Sequence, residues 1–212
     1  MFVFAITASV LFGAYRATLV NVESTKTSLT GYGTARTALL RMADDLGSVR
    51  VSLPPAYRKP DTAFSDPDPL RFTCESDSAS GIPKLRFASR AHVDLTGEGK
   101  AGTAEIVYYA EKDKNGPGYL LRRRDTVDFE LFESEPHADP VLCNRVKSLS
   151  YTFLDEDGEG HEDWDSEDAS SNWATPIAVA VELVLYAGDT EEKVTGVFDT
   201  MVSLPVYREK IE

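Results

Sequence analysis

From Asn21 to Leu53 the chain contains no proline, and Pro54-Pro55 then closes the stretch. Proline removes a backbone donor and clashes with the preceding turn, so the pair marks a stop for any helix before it. Within the stretch Tyr32, Ala35, Leu39, Met42, Leu46, Val49 and Leu53 recur at alternating steps of three and four. That spacing keeps one narrow apolar stripe on one helix face, with Arg36, Arg41, Asp44, Asp45 and Arg50 mostly off it. Ahead of it stands MFVFAITASVLFGAYRATLV, with no charged side chain before Arg16. The two parts predict one continuous helix of roughly fifty residues, ~75 Å long at the usual rise. Its first third is apolar all round, and its last third has a single face to pack. Gly31 and Gly33 lie between the parts, and each costs a helix about 1 kcal/mol relative to Ala, so a bend or local melting is expected there.

The apolar opening is shorter than the ~20 residues that a membrane span requires. It also lacks the basic flank and small-residue cleavage site of a secretory signal. A run so short would ordinarily be a buried core helix, but its continuation into an amphipathic segment argues for a protruding anchor instead.

Beyond the proline pair, YRKPDTAFSDPDP is rich in proline and aspartate and is expected to be an extended linker. Strand-like runs follow: LRFTC, KLRFASRAHV, AEIVYYAE, GYLLRRRD, VDFELF, VKSLSYTFLD, IAVAVELVLYA and KVTGVFDTMVSLPV. Alternation is plain where Ala178, Ala180 and Glu182 interleave with Val179, Val181 and Leu183. EKDKNGPG, between two runs, carries the chemistry of a hairpin turn. The fold class is therefore α+β: a long N-terminal helix over residues 1–53, packed on a mostly antiparallel β domain over residues 54–212.

These features resemble, in order, the minor pseudopilins of the J class from type II secretion systems, within the type IV pilin-like superfamily. FAITASVLFGAYRATL is similar to the lower part of a pilin anchor helix, and ALLRMADDLGSVRVS to the leucine-rich stretch that ends in an acidic residue and a leucine. EIVYYAEKDKNGPGYLLRRRD resembles the family's strand, turn and strand ending in paired arginines. VLCNRVKSLSYTFLDEDGEGHEDWD resembles its valine-led strand with an Asp-Gly turn and tryptophan; Trp173 and Pro176 then precede the alternating strand, as in the family. The resemblance implies a structural protein rather than an enzyme. It would be held in the inner membrane of a Gram-negative cell by its N-terminal helix, with its soluble domain in the periplasm. Its partners would be the minor pseudopilins I and K and other pseudopilins, in a pseudopilus tip complex that primes assembly for protein export. The family's Gly-Phe junction and leader are absent from the sequence, so the anchor is expected to continue upstream of Met1. A minor pilin of type IV pili shares this architecture and is the alternative within the class. A membrane-tethered calcium-binding adhesion module is the alternative outside it.

The formal charge of −13, from 22 basic and 35 acidic side chains, repels phosphate backbones, and no basic stripe offsets it. Nucleic-acid binding is excluded on that ground. No nucleophile elbow or phosphate loop occurs, and His161-Glu162 is not followed by a second histidine at zinc spacing. No catalytic, cofactor or metal residue is assigned. The loop from Asp155 to Asp168 holds many carboxylates. Counting from Asp155, however, the glycine falls at the fourth position and Ser166 stands where a calcium loop places its bidentate acid. Starting at Asp157 puts Glu162 where glycine is needed. It is expected to be an acidic solvated turn. Arg122 and Arg124 share one strand face and Arg123 the other, so they form pairs with nearby acids rather than one patch. Cys74 and Cys143 either bridge two neighbouring strands or sit as small buried hydrophobes.

Overall fold

The protein is described here by a computed structural model covering residues 31–60, 67–77, 80–93, 102–127, 139–188 and 194–211. The apolar opening and the expected strand VDFELF beyond Val127 lie outside these residues. Residues 31–46 are helical (α1), and this described stretch begins at Gly31 and includes Gly33 without local melting. Ala35, Ala38, Leu39, Met42 and Leu46 are buried, so the apolar stripe is the docking face. Tyr32, however, is 58% exposed.

The helix ends earlier than the proline pair implied. Gly47 donates its N–H to the Ala43 carbonyl at 2.8 Å and Ser48 to Asp45 at 3.2 Å, and helical bonding then stops. Gly and Ser are poor helix residues, and the Val-Arg-Val sequence that follows alternates at the period of a strand. Val49 and Val51 are buried with Arg50 between them half-buried, and Val49–Arg50 form a short strand, β1. Leu53, placed on the helical stripe by its spacing, is instead 42% exposed.

The other strands are β2 (Thr73–Glu75), β3 (Lys84–Ser89), β4 (Ala104–Lys112), β5 (Tyr119–Thr126), β6 (Val141–Leu154), β7 (Gly160–His161), β8 (Trp164–Asp165), β9 (Ala178–Tyr186) and β10 (Val194–Ser203). They form one sheet in the order β10-β9-β6-β5-β4-β3-β2-β8, with β1 added to β3 and β7 to β6, and every pairing is antiparallel. The sheet curls strongly. β6 and β2 are four strands apart, roughly 19 Å if flat at the usual spacing. Yet the Phe153 ring on β6 lies 5.8 Å from Phe72, beside β2, and 6.2 Å from Trp164 on β8. One continuous apolar core fills the curl and includes the buried stripe of α1.

Among the described residues after Pro55, 56–60 and 67–69 form no helix or strand but are not a free linker. Arg208, 1% exposed, reaches them from the C-terminal tail. Its guanidinium donates to the Trp173 and Ser166 carbonyls at 2.6 Å each and to the Ser52 carbonyl at 3.2 Å. It also pairs with Asp68 and Glu167 and stacks 3.3 Å from the centre of the Tyr57 ring.

The β4–β5 hairpin forms where expected, and of the Asn-Gly and Pro-Gly pairs in its turn it is Pro117-Gly118 that supplies the left-handed residue. Gly118 has φ +74°, and a Cβ there would sit 2.2 Å from the Val146 carbonyl oxygen. Gly118→Ala should therefore lower stability by at least ~1 kcal/mol, read as a lower midpoint in chemical denaturation. An unchanged midpoint would mean that the turn relaxes freely.

Candidate functional site

The C-terminal turn of α1 carries Asp45, whose side chain is fully buried although its sequence position placed it off the apolar stripe. Position 45 lies on the helical row of Ala38 and Met42, which flanks that stripe, so the helix turns its carboxylate toward the sheet. On β5, Arg123 shares the inward face with Leu121, as strand alternation requires. Arg123 Nε donates to Asp45 Oδ2 at 2.7 Å and a terminal nitrogen to Oδ1 at 3.0 Å, giving a two-pronged pair. Arg41, one turn back, donates to Asp45 Oδ1 at 2.7 Å, and the Tyr108 hydroxyl makes a short bond to Oδ2.

The network continues outward. Arg123 also donates to Asp125 at 2.7 Å; Asp125 meets His92 Nδ1 at 2.5 Å and accepts the Val93 N–H at 2.9 Å. The Ala91 carbonyl accepts from Arg123 and Arg41. Buried Ser89 donates its hydroxyl to the Asp45 carbonyl at 2.8 Å, satisfying one of the acceptors that a helix end leaves open. Two carboxylates thus face two guanidiniums in a shielded site that joins the helix to β3, β4 and β5. Burial pulls Arg123 toward deprotonation, but hydrogen bonds and charge from Asp45, then Asp125, outweigh it and shift the group upward. Burial, followed by the Asp45 charge, drives the Tyr108 phenol well above its ordinary range, so it stays a donor.

A carboxylate in the last turn stands at the unfavourable end of the helix dipole. Its place there is explained by the paired arginines. An apolar stripe repeating every three to four residues tolerates a slip of one turn; the Asp45–Arg123 pair does not. This site fixes the register of the helix on the sheet.

The neighbouring arginines behave as their parity predicted. Arg122 pairs with Glu111 at 2.6 Å and Arg124 with Asp139 at 3.2 Å, both on the outer face, while Arg123 points inward. In the acidic loop the Asp155, Glu159 and His161 side chains come together, with candidate ligand atoms within 4.8 Å of one another. Asp155 Oδ1 accepts the N–H groups of Asp157 and Glu159 at 3.0 and 2.9 Å, and Lys210 Nζ lies 3.3 Å from Oδ2 and contacts Asp157. Desolvation would raise the Asp155 carboxyl, but these N–H groups and Lys210 hold it below its ordinary value. The oxygens are committed to the loop's own closure. Trp164 is buried and donates Nε1–H to the Ala174 carbonyl at 3.1 Å.

Cys74 and Cys143 are both buried free thiols in the core, Cys74 between Leu85 and Trp164 and Cys143 opposite Leu121. Burial pushes both up to about 12. Since the thiolate is the reactive form, neither thiol should label in the native protein, and both should label after unfolding. Absence of label after unfolding without reductant would indicate a bridge.

The sequence profile of the family described as type II secretion system (T2SS), protein J, matches residues 13–196. Among solved structures, a chain of the GspK-GspI-GspJ complex from the enterotoxigenic Escherichia coli type 2 secretion system is similar at 17% identity and a TM-score of 0.48. The match covers 82% of this chain and 97% of that one. No curated protein sequence matches the chain.

Removing one partner of a buried ion pair typically costs ~3–5 kcal/mol, because the other charge is stranded. Asp45→Ala and Arg123→Met should each cost about that much in urea denaturation, and the double variant clearly less than the sum of the two. Strict additivity would show that the two groups do not act as a pair.

Proposed function

Because the chain belongs to the type II secretion system protein J family, we propose that this minor pseudopilin works as a non-enzymatic assembly subunit at the tip of the pseudopilus. The observation that carries the reading is the extent of the family match, which runs from residue 13 through α1 and every strand up to the start of β10. The order of elements supports it: an amphipathic helix clamped to a curled antiparallel sheet leaves the helix's N-terminal part as the means of attachment.

On this reading residues 1–53 form the anchoring segment and residues 54–212 the periplasmic domain. The long N-terminal helix continues α1 toward Met1, and its charge-free beginning holds the subunit in the inner membrane until it enters the filament. Among the described residues no helix is long and apolar enough to cross a membrane, so this part of the reading rests on the sequence before Gly31. A helix apolar all round can exchange lipid for like helices, where close packing replaces lipid contacts. The sheet domain then chooses partners, taken to be the minor pseudopilins I and K. Type IV pilus membership would share this architecture, and the family match favours the secretion system. A calcium-binding adhesion role gains nothing from a loop whose carboxylates face Lys210 and its own backbone.

The full chain, purified in detergent with the I and K subunits of the same organism, should co-elute as a stoichiometric complex without any added cofactor. Leu11→Asp should abolish secretion, because a carboxylate at the centre of a span costs ~2.5–3.5 kcal/mol on insertion scales, while leaving the detergent-solubilised complex intact. Separate elution of the three wild-type proteins would refute the assembly role.

A further inference from the structure

β10 ends the sheet, and among the described residues nothing pairs with its outer edge. After a bulge between Val194 and Gly196, seven successive residues from Val197 to Ser203 run in regular register against β9. This run has no proline and no lysine, two of the devices by which natural edges are blunted. Its alternation sends Phe198 and Val202 toward the core and leaves Val197 and Met201 on the outer face, 59% and 62% exposed.

On that outer face Asp199 lies directly opposite Glu182 of β9. Like charges so placed repel across the strands. Both side chains are exposed, Ser150 of β6 is the neighbour of Glu182 on its other side, and among the described residues neither carboxylate has an ion pair. The pair is flanked on one side by Val197 opposite Val184 and on the other by Met201 opposite Ala180. A two-carboxylate row between two apolar rows, on a strand with a free edge, lacks a counter-charge among the described residues.

We propose that the β9–β10 outer face and the free β10 edge form a docking surface for an extended segment of another pseudopilin, one that presents a lysine or arginine between apolar side chains. Strand addition at an edge supplies main-chain hydrogen bonds, and side-chain pockets on alternate positions supply the choice of partner. The charge pattern selects against a second copy of this chain. Antiparallel self-pairing centred near Asp199 would line up four carboxylates between molecules that each carry a formal charge of −13. A basic segment instead relieves a repulsion already present in the free subunit.

The proposal rests on the reading that this chain assembles with other pseudopilins, and the experiment separates the two. Full-length chain in detergent is titrated with the full-length I and K subunits, as wild type, Asp199→Asn and Asp199→Lys, with a benzophenone cross-linker at position 201 in a parallel sample. Asp199→Lys should weaken binding at least tenfold and Asp199→Asn by a smaller factor. Both should have a Tm equal to or above wild type, since each removes the clash with Glu182. Cross-links from position 201 should reach I or K. Wild-type affinity in both variants overturns the proposal, as do cross-links that join only copies of this chain. A wild-type chain that binds neither subunit overturns the functional reading and this surface with it.

Discussion

The bond between Asp45 and Arg123 is the constraint on which the rest of the structure depends. The carboxylate is fully buried and the guanidinium nearly so, and each is held by further groups: Arg41 and Tyr108 on one side, Asp125 and His92 on the other. Taking such charges out of water costs several kcal/mol per ion, so the arrangement survives only because almost every donor and acceptor finds a partner. The apolar stripe of α1 supplies the larger share of the docking free energy, through buried Met42, Leu46 and Leu39. The ion pair supplies the single register in which that stripe is allowed to sit.

A second polar centre completes the enclosure at the opposite end of the chain. Arg208 ties the C-terminal tail to the segment after the proline pair and to the loop after β8, through two charged partners and three carbonyls. Between these two centres the sheet curls until β6 and β8 share aromatic contacts across the core. Both guanidiniums are arginine, which suits sites where several acceptors lie in fixed directions.

Much of this was legible in the sequence, because much of it is local. The helical stripe, the alternation of β9, the β4–β5 hairpin and the split parity of Arg122, Arg123 and Arg124 follow from periods of 3.6 and 2. What could not be read is what depends on distant partners. Asp45 looked like a solvent-facing acid that Arg41 could pair at the surface, because Arg123, the partner that meets it inside, lies 78 residues away. The row Ala38, Met42, Asp45 held the clue. The helix end at Gly47 was masked by Val49 and Leu53, which fit the helical spacing while serving a strand and a loop. Arg208 gave no local signal at all, since its acceptors are spread over the segment after Val51 and the loop around Trp173. The cysteines sat in strand-like runs, but which runs were neighbours depended on a strand order that spacing does not encode.

The position of the Asp45 clamp also sets how the molecule bears load. A tension applied to the N-terminal part of the helix passes into the domain along the buried stripe from Ala35 to Leu46, and that stripe ends at the turn that carries Asp45. There the two-pronged pair with Arg123 and the Ser89 bond tie the end of the helix to β5 and β3. Resistance to such pulling is governed by the unfolding rate rather than by equilibrium stability. The buried pair is therefore a mechanical fastening as well as a register mark, set where a helix drawn from one environment to another would hand its strain to the sheet.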